Sequence, residues 1–295
     1  MAEHAAIIGA GVIGVSTAHA LSMLGHEVVV IDRQHAVAEE TSFANGGQIS
    51  AAHTTPWAAP HVPFQAFKWM FQADAPLLFK PLRWDPSLWR WGLRFLANCT
   101  SRHAALNFEK ALRIATYSRG VLQAWRQHHG LQYNQTTGGL LYVYRDQSAA
   151  AAGYATAQKL TDHGLSQTIL DRDALLAEEP ALAHAEVPLV GGVLSPDDET
   201  GDARQFTETL AKIAQDANVT FQFSTSIKAL TTRNREITGI ATDHGTIEAD
   251  AYVLCLASET PRLLKPLGLA IPIYPAKGYS MTSPITTSDA APSRS

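Results

Sequence analysis

An apolar run closed by three glycines, Ala5-Ala-Ile-Ile-Gly-Ala-Gly-Val-Ile-Gly14, constrains this chain more than any other stretch. A helical pattern follows and stops at Gly25, and a second apolar run, Glu27-Val-Val-Val-Ile-Asp32, ends in an acid 18 residues after Gly14. The order is strand, glycine turn, helix, strand, carboxylate. Gly9 permits the tight turn, Gly11 lets backbone approach a pyrophosphate, and Gly14 lets the helix lie close on the strand. The helix N-terminus offers amide donors and the positive end of its dipole to phosphates. Asp32 is placed to accept hydrogen bonds from a ribose, and its charge disfavours a 2′-phosphate, which argues against NADP. These residues point to an adenine dinucleotide site and leave FAD and NAD as alternatives, with a glycine-rich turn that binds nothing as the bland reading.

At 295 residues the chain can build one large domain or two ordinary ones. Hydrophobic residues at 46% and charged ones at 17% fit a soluble globular protein, and a net charge of −4 gives no reason to expect nucleic acid. Cys99 and Cys255 are the only cysteines, which fits a reducing, cytoplasmic compartment and argues against a disulfide framework or a zinc site. The apolar N-terminal segment lacks a basic flank and is broken by glycines, so it does not read as a signal peptide. With no apolar run of about 18 residues, no membrane crossing is expected.

After Asp32 the segment Glu40-Thr-Ser-Phe-Ala-Asn-Gly-Gly-Gln-Ile-Ser50 is dense in hydroxyl, amide and glycine residues. It reads as a loop lining a polar ligand, in preference to a plain surface loop. Five of the six tryptophans, Trp57, Trp69, Trp84, Trp89 and Trp91, then alternate with prolines that limit helices to about 64–73 and 87–98. Core packing is the preferred reading of these rings. An interfacial surface is the alternative, because Lys68, Lys80, Arg83, Arg90 and Arg94 accompany them.

A helix is predicted over 104–128, with His128 and His129 complementing its C-terminal dipole rather than binding metal. A strand follows over 138–144, a helix over 147–163 and a strand over 190–195, making an α+β insertion with a small antiparallel sheet. Pro196-Asp-Asp-Glu-Thr-Gly-Asp202 reads as a turn and helix cap, not a cation site. The dinucleotide domain resumes near 196 with a helix from Ala203, a strand over 219–223, a hairpin over 236–248 and a strand over 251–258. Residues 271–283 read as a strand re-entering the insertion, and 286–295 as a polar, disordered tail.

Four stretches together resemble the D-amino acid oxidase-like flavoproteins, most specifically their D-amino acid dehydrogenase members. They are Ile8-Gly-Ala-Gly-Val-Ile-Gly-Val15, residues 40–50 running on to Pro56-Trp-Ala-Ala-Pro60, Gly191-Gly-Val-Leu-Ser-Pro-Asp-Asp-Glu-Thr-Gly-Asp202, and Tyr274-Pro-Ala-Lys-Gly-Tyr-Ser280. The first is generic to dinucleotide binders; the others are more specific. The resemblance implies an α/β fold with a discontinuous Rossmann-like FAD-binding domain, 1–50 and 196–270. An inserted α+β substrate domain on an antiparallel sheet would take 51–195 and 271–285. It implies FAD, with the adenosine ribose at Asp32 beside Arg33 and the pyrophosphate over Gly9, Gly11 and Gly14. Ser42, Asn45, Gly46, Gly47 and Gln48 would line pyrophosphate and flavin, Ile227 would lie near the adenine, and Ala257 and Ser258 near the cofactor. Lys277 and Tyr279 fall in the substrate-side stretch.

The implied reaction is hydride transfer from the α-carbon of a D-amino acid to flavin N5, giving a 2-oxo acid and ammonia. Electrons would pass to a quinone or other acceptor, with peripheral contact to the cytoplasmic face of the inner membrane through 57–94. The resemblance also implies further chain, with a flavin loop and usually an arginine for the substrate carboxylate. The C-terminal part of both domains is therefore expected to be missing, and Ala291-Pro-Ser-Arg-Ser295 reads as a truncated or frameshifted terminus. No arginine is assigned to the carboxylate. A non-catalytic flavoprotein fragment, a glycine- or sarcosine-type amine oxidase and an NAD-dependent dehydrogenase are the competing readings.

Overall fold

The computed structural model describes residues 3–69 and 84–279, apart from the Trp69 side chain. The chain opens with β1 (His4–Ile8), α1 (Val12–Met23) and β2 (Glu27–Ile31), followed by β3 (Gln48–Ile49), α2 (Val62–Trp69), α3 (Pro86–Asn98) and the long α4 (Ser101–His129). Its middle supplies β4 (Leu140–Tyr144), α5 (Gln147–Asp162), β5 (Thr168–Asp171), α6 (Arg172–Glu178), β6 (Gly191–Ser195) and β7 (Glu199–Thr200). Then come α7 (Ala203–Asp216), β8 (Thr220–Gln222), β9 (Ile227–Arg233), β10 (Glu236–Thr242), β11 (Gly245–Ile247), β12 (Ala251–Leu254) and α8 (Thr260–Leu264).

The described residues form two compact units, 3–45 with 56–107 and 203–279, and 46–55 with 108–202. The sequence-derived boundaries grouped 51–195 with 271–285 instead. Residues 56–107 and 271–279 therefore fall with the first unit, and 46–50 and 196–202 with the second.

The first unit is built on a parallel sheet in the order β12-β1-β2-β8. β1 and β2 are buried on both faces, as expected for parallel strands covered above and below. On one face Ala6, Ile8, Val29 and Ile31 form a core with Leu230, Ile240 and Leu264. That face is covered by the antiparallel sheet β11-β10-β9 and by α8. Alternate strand residues point the other way, toward α1 and α7, which pack on each other and bury Val15, Ala18, Leu210 and Ala214. Of the three antiparallel strands, β9 has no counterpart in the sequence reading beyond Ile227, because Lys228, Thr231, Thr232 and Arg233 dilute its apolar alternation.

α3 follows from local chemistry. The Asp85 carboxylate accepts from the amides of Ser87 and Leu88 at 3.0 and 3.2 Å, and Pro86 occupies the first turn, where its missing N–H costs nothing. The preferred packing role is corrected here for three of the five tryptophans. Trp57, Trp84 and Trp89 are 69%, 92% and 45% exposed, while Trp91 stacks on Phe95 and meets the Tyr274 ring. Trp57 and Trp84 lie in irregular chain and only Trp89 of the three is on a helix, α3, so ring size alone does not secure burial. Lys80, Arg83 and the predicted helical residues 70–73 lie outside the described residues.

The second unit holds the antiparallel sheet β4-β6-β5, with β3 and β7 forming a separate two-residue ladder. Its apolar cluster joins Ala51, Ala52, Phe108, Leu112, Leu160 and Leu165. β5 and α6 escaped the sequence reading, being short and amphipathic only over a turn or two; α6 is opened by Asp171, which accepts from the Ala174 amide.

The predicted strand over 271–283 is also corrected. Residues 271–279 carry no regular structure, and the Ile273 amide turns back onto the Ile271 carbonyl at 2.9 Å. Pro272 and Pro275 lack the donors a ladder needs. Residues 280–283 and the predicted tail lie outside the described residues.

Candidate dinucleotide site

The glycine turn sits at the carboxyl end of β1, where ligands of open parallel sheets bind. Gly9 has φ +108°, and a Cβ there would lie 2.6 Å from the Cys255 carbonyl oxygen just past β12. A Cβ on Gly14 would lie 1.8 Å from the Gly9 carbonyl oxygen, so α1 crosses the turn at a separation no side chain tolerates. Gly11 is the N-cap of α1 and has more room: its Cβ would stand 3.3 Å from Ser42 Oγ. The two tight glycines set the geometry, and Gly11 leaves the mouth open.

Asp32 closes the turn from the side. Its two carboxylate oxygens accept the amides of Ala10 at 2.6 Å and Gln34 at 2.8 Å. Its carbonyl accepts the Thr225 amide at 2.9 Å, which brings the start of β9, and hence Ile227, to the same edge of the sheet. Next to it Arg33 donates through Nε and Nη2 to Glu40, with Gln34 Nε2 donating to the same oxygen. Hydrogen bonds from Arg33 and then Gln34 hold the Glu40 carboxyl below its ordinary range, and Glu40 in turn raises Arg33.

Ser42 Oγ accepts the Val12 amide at 3.0 Å, which places this hydroxyl at the N-terminus of α1. Asn45 Nδ2 reaches the carbonyls of Thr41 and Ser42. Ala257, at φ +44°, and Ser258 begin a 3-10 turn just after β12. The structure thus gathers Gly9, Gly11, Gly14, Asp32, Ser42, Ile227, Ala257 and Ser258 around the carboxyl ends of β1, β2 and β12 within one unit. Lys277 and Tyr279 lie instead in the irregular exposed segment, the ammonium 5.1 Å from the ring centre.

Gly46, Gly47 and Gln48 belong to the second unit, where a different device holds them. Gly47 O accepts the Gly201 amide at 2.9 Å, and Gln48 and Ile49 pair with Thr200 and Glu199. Sequence reading took the acids after β6 for a turn and cap. In fact Asp198 and Glu199 are 1% and 4% exposed. Arg119 donates to Asp198 at 3.1 Å, while Arg126 donates to both oxygens of Glu199 and Gln123 adds a bond of 2.7 Å. Burial pushes the Glu199 carboxyl up, but the Arg126 and Gln123 hydrogen bonds outweigh it and leave the group below its ordinary value. Burial raises the Tyr133 phenol despite a 3.0 Å bond from Arg126. One signal was available: Arg119, Gln123 and Arg126 stand at i, i+4 and i+7, one face of a helix.

A doubly covered parallel sheet, a glycine turn without room for a methyl and a carboxylate at the end of the second strand define a dinucleotide-binding α/β protein. The family model for FAD dependent oxidoreductases, DAO, matches residues 4–294. Two curated relatives, the D-amino acid dehydrogenases of Paramagnetospirillum magneticum and Agrobacterium fabrum, are each 46% identical over 286 residues, 97% of this chain and 68% of theirs. The chain therefore belongs to the DAO family of FAD dependent oxidoreductases. In fold it is similar to glycine oxidase from Bacillus cereus, with a TM-score of 0.63 at 21% identity, covering 90% of this chain and 58% of that one. L-proline dehydrogenase from P. horikoshii gives a TM-score of 0.65 at 17% identity, covering 91% and 56%. The chain thus spans under two thirds of the solved structures it matches.

FAD is the cofactor of this family, and the donor set fits its adenosine diphosphate half. The space a Cβ would fill at Gly11, the N-terminus of α1 and a carboxylate anchored by backbone amides are what a pyrophosphate and ribose require.

Proposed function

We propose that this chain is the FAD-binding and substrate-facing part of a D-amino acid dehydrogenase. The observation that carries the reading is the length of the likeness: 46% identity is sustained over 97% of the chain, far beyond the generic glycine turn. In this reading Gly9, Gly11 and Gly14 admit the pyrophosphate to the first turn of α1, and Ser42 exchanges its bond with the Val12 amide for one to the cofactor. Asp32, fixed by two amides, keeps its remaining lone pairs for the ribose hydroxyls, with Arg33 beside it. Ile227 borders the adenine, and Asn45, Gly46, Gly47, Gln48, Ala257 and Ser258 line the rest of the cofactor. FAD, when bound, would supply the oxidant for hydride removal from the substrate α-carbon, and the oxidised amino acid would hydrolyse to a 2-oxo acid and ammonia. Lys277 and Tyr279 serve the substrate side.

Among the described residues no helix is long and apolar enough to cross a membrane. The exposed Trp57, Phe64, Phe67, Trp84 and Trp89, with Lys68, Arg90 and Arg94 among them, have the composition of a surface that lies on anionic lipid. In this reading it brings the cytoplasmic protein to a quinone-type acceptor at the inner membrane.

The test is anaerobic. The chain is loaded with FAD and mixed with a panel of D-amino acids while the visible absorbance of the flavin is followed. Bleaching by D- but not L-enantiomers is expected. A spectrum unmoved by every amino acid, or turnover that depends on added nicotinamide cofactor, would overturn the reading.

A further inference from the structure

The stretch 47–52 is held from end to end by four consecutive residues, 198–201. Gly47 bonds Gly201, Gln48 pairs with Thr200 and Ile49 with Glu199. There the backbone ladder stops, and a side chain takes over. Asp198 accepts the Ser50 hydroxyl and the amides of Ala51 and Ala52, the latter two at 3.0 and 3.4 Å. All of this happens at a carboxylate that is almost wholly buried and paired with Arg119. A two-residue ladder does not hold a strand in place by itself. The carboxylate supplies the missing acceptors, and the guanidinium compensates a charge that burial would otherwise make costly.

We infer that Asp198 is a positioning residue for the cofactor: by fixing residues 50–52 it sets where Gly46, Gly47 and Gln48 present their backbone to the flavin. The inference rests on the proposed FAD site and deepens it. Asp198 itself touches no cofactor. Its influence passes along β3, and a branch runs through Ser50 Oγ, which also receives the His53 amide at 3.0 Å and stands 3.4 Å from the Tyr142 hydroxyl.

Asp198→Asn keeps the shape and removes the charge. One oxygen becomes an NH2 group facing donors, so at least one of the three bonds is lost and Arg119 loses its partner. With the full chain and added FAD, the expected result is binding weakened about tenfold, together with a displaced visible absorption band of the bound flavin. Ser50→Ala spares the Asp198–Arg119 pair and both amides, and is expected to displace the band in the same direction by less. If Asp198→Asn lowers only the melting temperature, while affinity and spectrum match the wild type, the inference is overturned. Should that variant fail to fold, Ser50→Ala decides: an unchanged band and affinity overturn the inference. Failure of the wild-type chain to take up FAD is a separate result, which removes the proposed function and the inference with it.

Discussion

The two places proposed to hold the cofactor are built by opposite means. At the glycine turn, position is enforced by the absence of atoms: backbone touches backbone at Gly9 and Gly14, and the one charged group, Asp32, is held by amides. At residues 46–52, position is enforced by added charge, with Asp198 and Glu199 buried against Arg119 and Arg126. A turn made of close contacts is rigid but intolerant. A buried ion pair contributes little net stability, because desolvation offsets attraction, yet removing one partner is costly. The first device fails by steric clash and the second by leaving a charge alone.

The largest effect should come from the turn. Gly14→Val puts a side chain 1.8 Å from the Gly9 carbonyl and forces α1 off the sheet, with an expected loss of about 4 kcal/mol or more. Thermal melting should show no cooperative unfolding. Gly11→Ala, with a clearance of 3.3 Å, should melt like the wild type yet retain less FAD, so equal damage from both would break the distinction between wall and mouth.

Next comes Arg126→Met, which leaves Glu199 buried without its principal partner and should cost about 3–5 kcal/mol by urea denaturation at neutral pH. It should also change the pH profile. In the wild type the folded Glu199 value is below the unfolded one, so its contribution is present above about pH 4.3 and is lost as pH falls through the folded value. The variant should lack that acid-side loss, and a profile parallel to the wild type would show that Arg126 is not its source. Smallest is Arg33→Gln. Half of each partner's side chain is in solvent, so the change should cost no more than about 1 kcal/mol and vanish in high salt.

The same contrast explains what was legible. Residues 5–32 could be read because each requirement is local: alternation gives the strands, and glycine spacing gives the turn. β12 and the antiparallel hairpin of β10 and β11 were equally open, being apolar or alternating runs bounded by turns. The Asp198–Arg119 pair was not, since its partners stand 79 residues apart and no acid in the Asp-Asp-Glu run differs in type from a solvated turn acid. The tryptophans misled for a related reason: hydrophobicity predicts a wish for burial, and whether neighbours exist to provide it is a tertiary fact. At 271–279 periodicity was followed past two prolines that deny a ladder its donors.

The bond from Ser50 to Asp198 spans 148 positions of sequence, and that has a consequence for synthesis. At roughly 5–20 residues per second, a ribosome needs on the order of 7–30 s to carry the chain from one to the other. Through that interval Gly46, Gly47 and Gln48 have been made but have nothing to fasten them, while β1, α1 and β2 already exist as a contiguous piece. The nascent protein therefore holds the complete sequence of the glycine turn long before the acceptors that fasten residues 47–52 have been made.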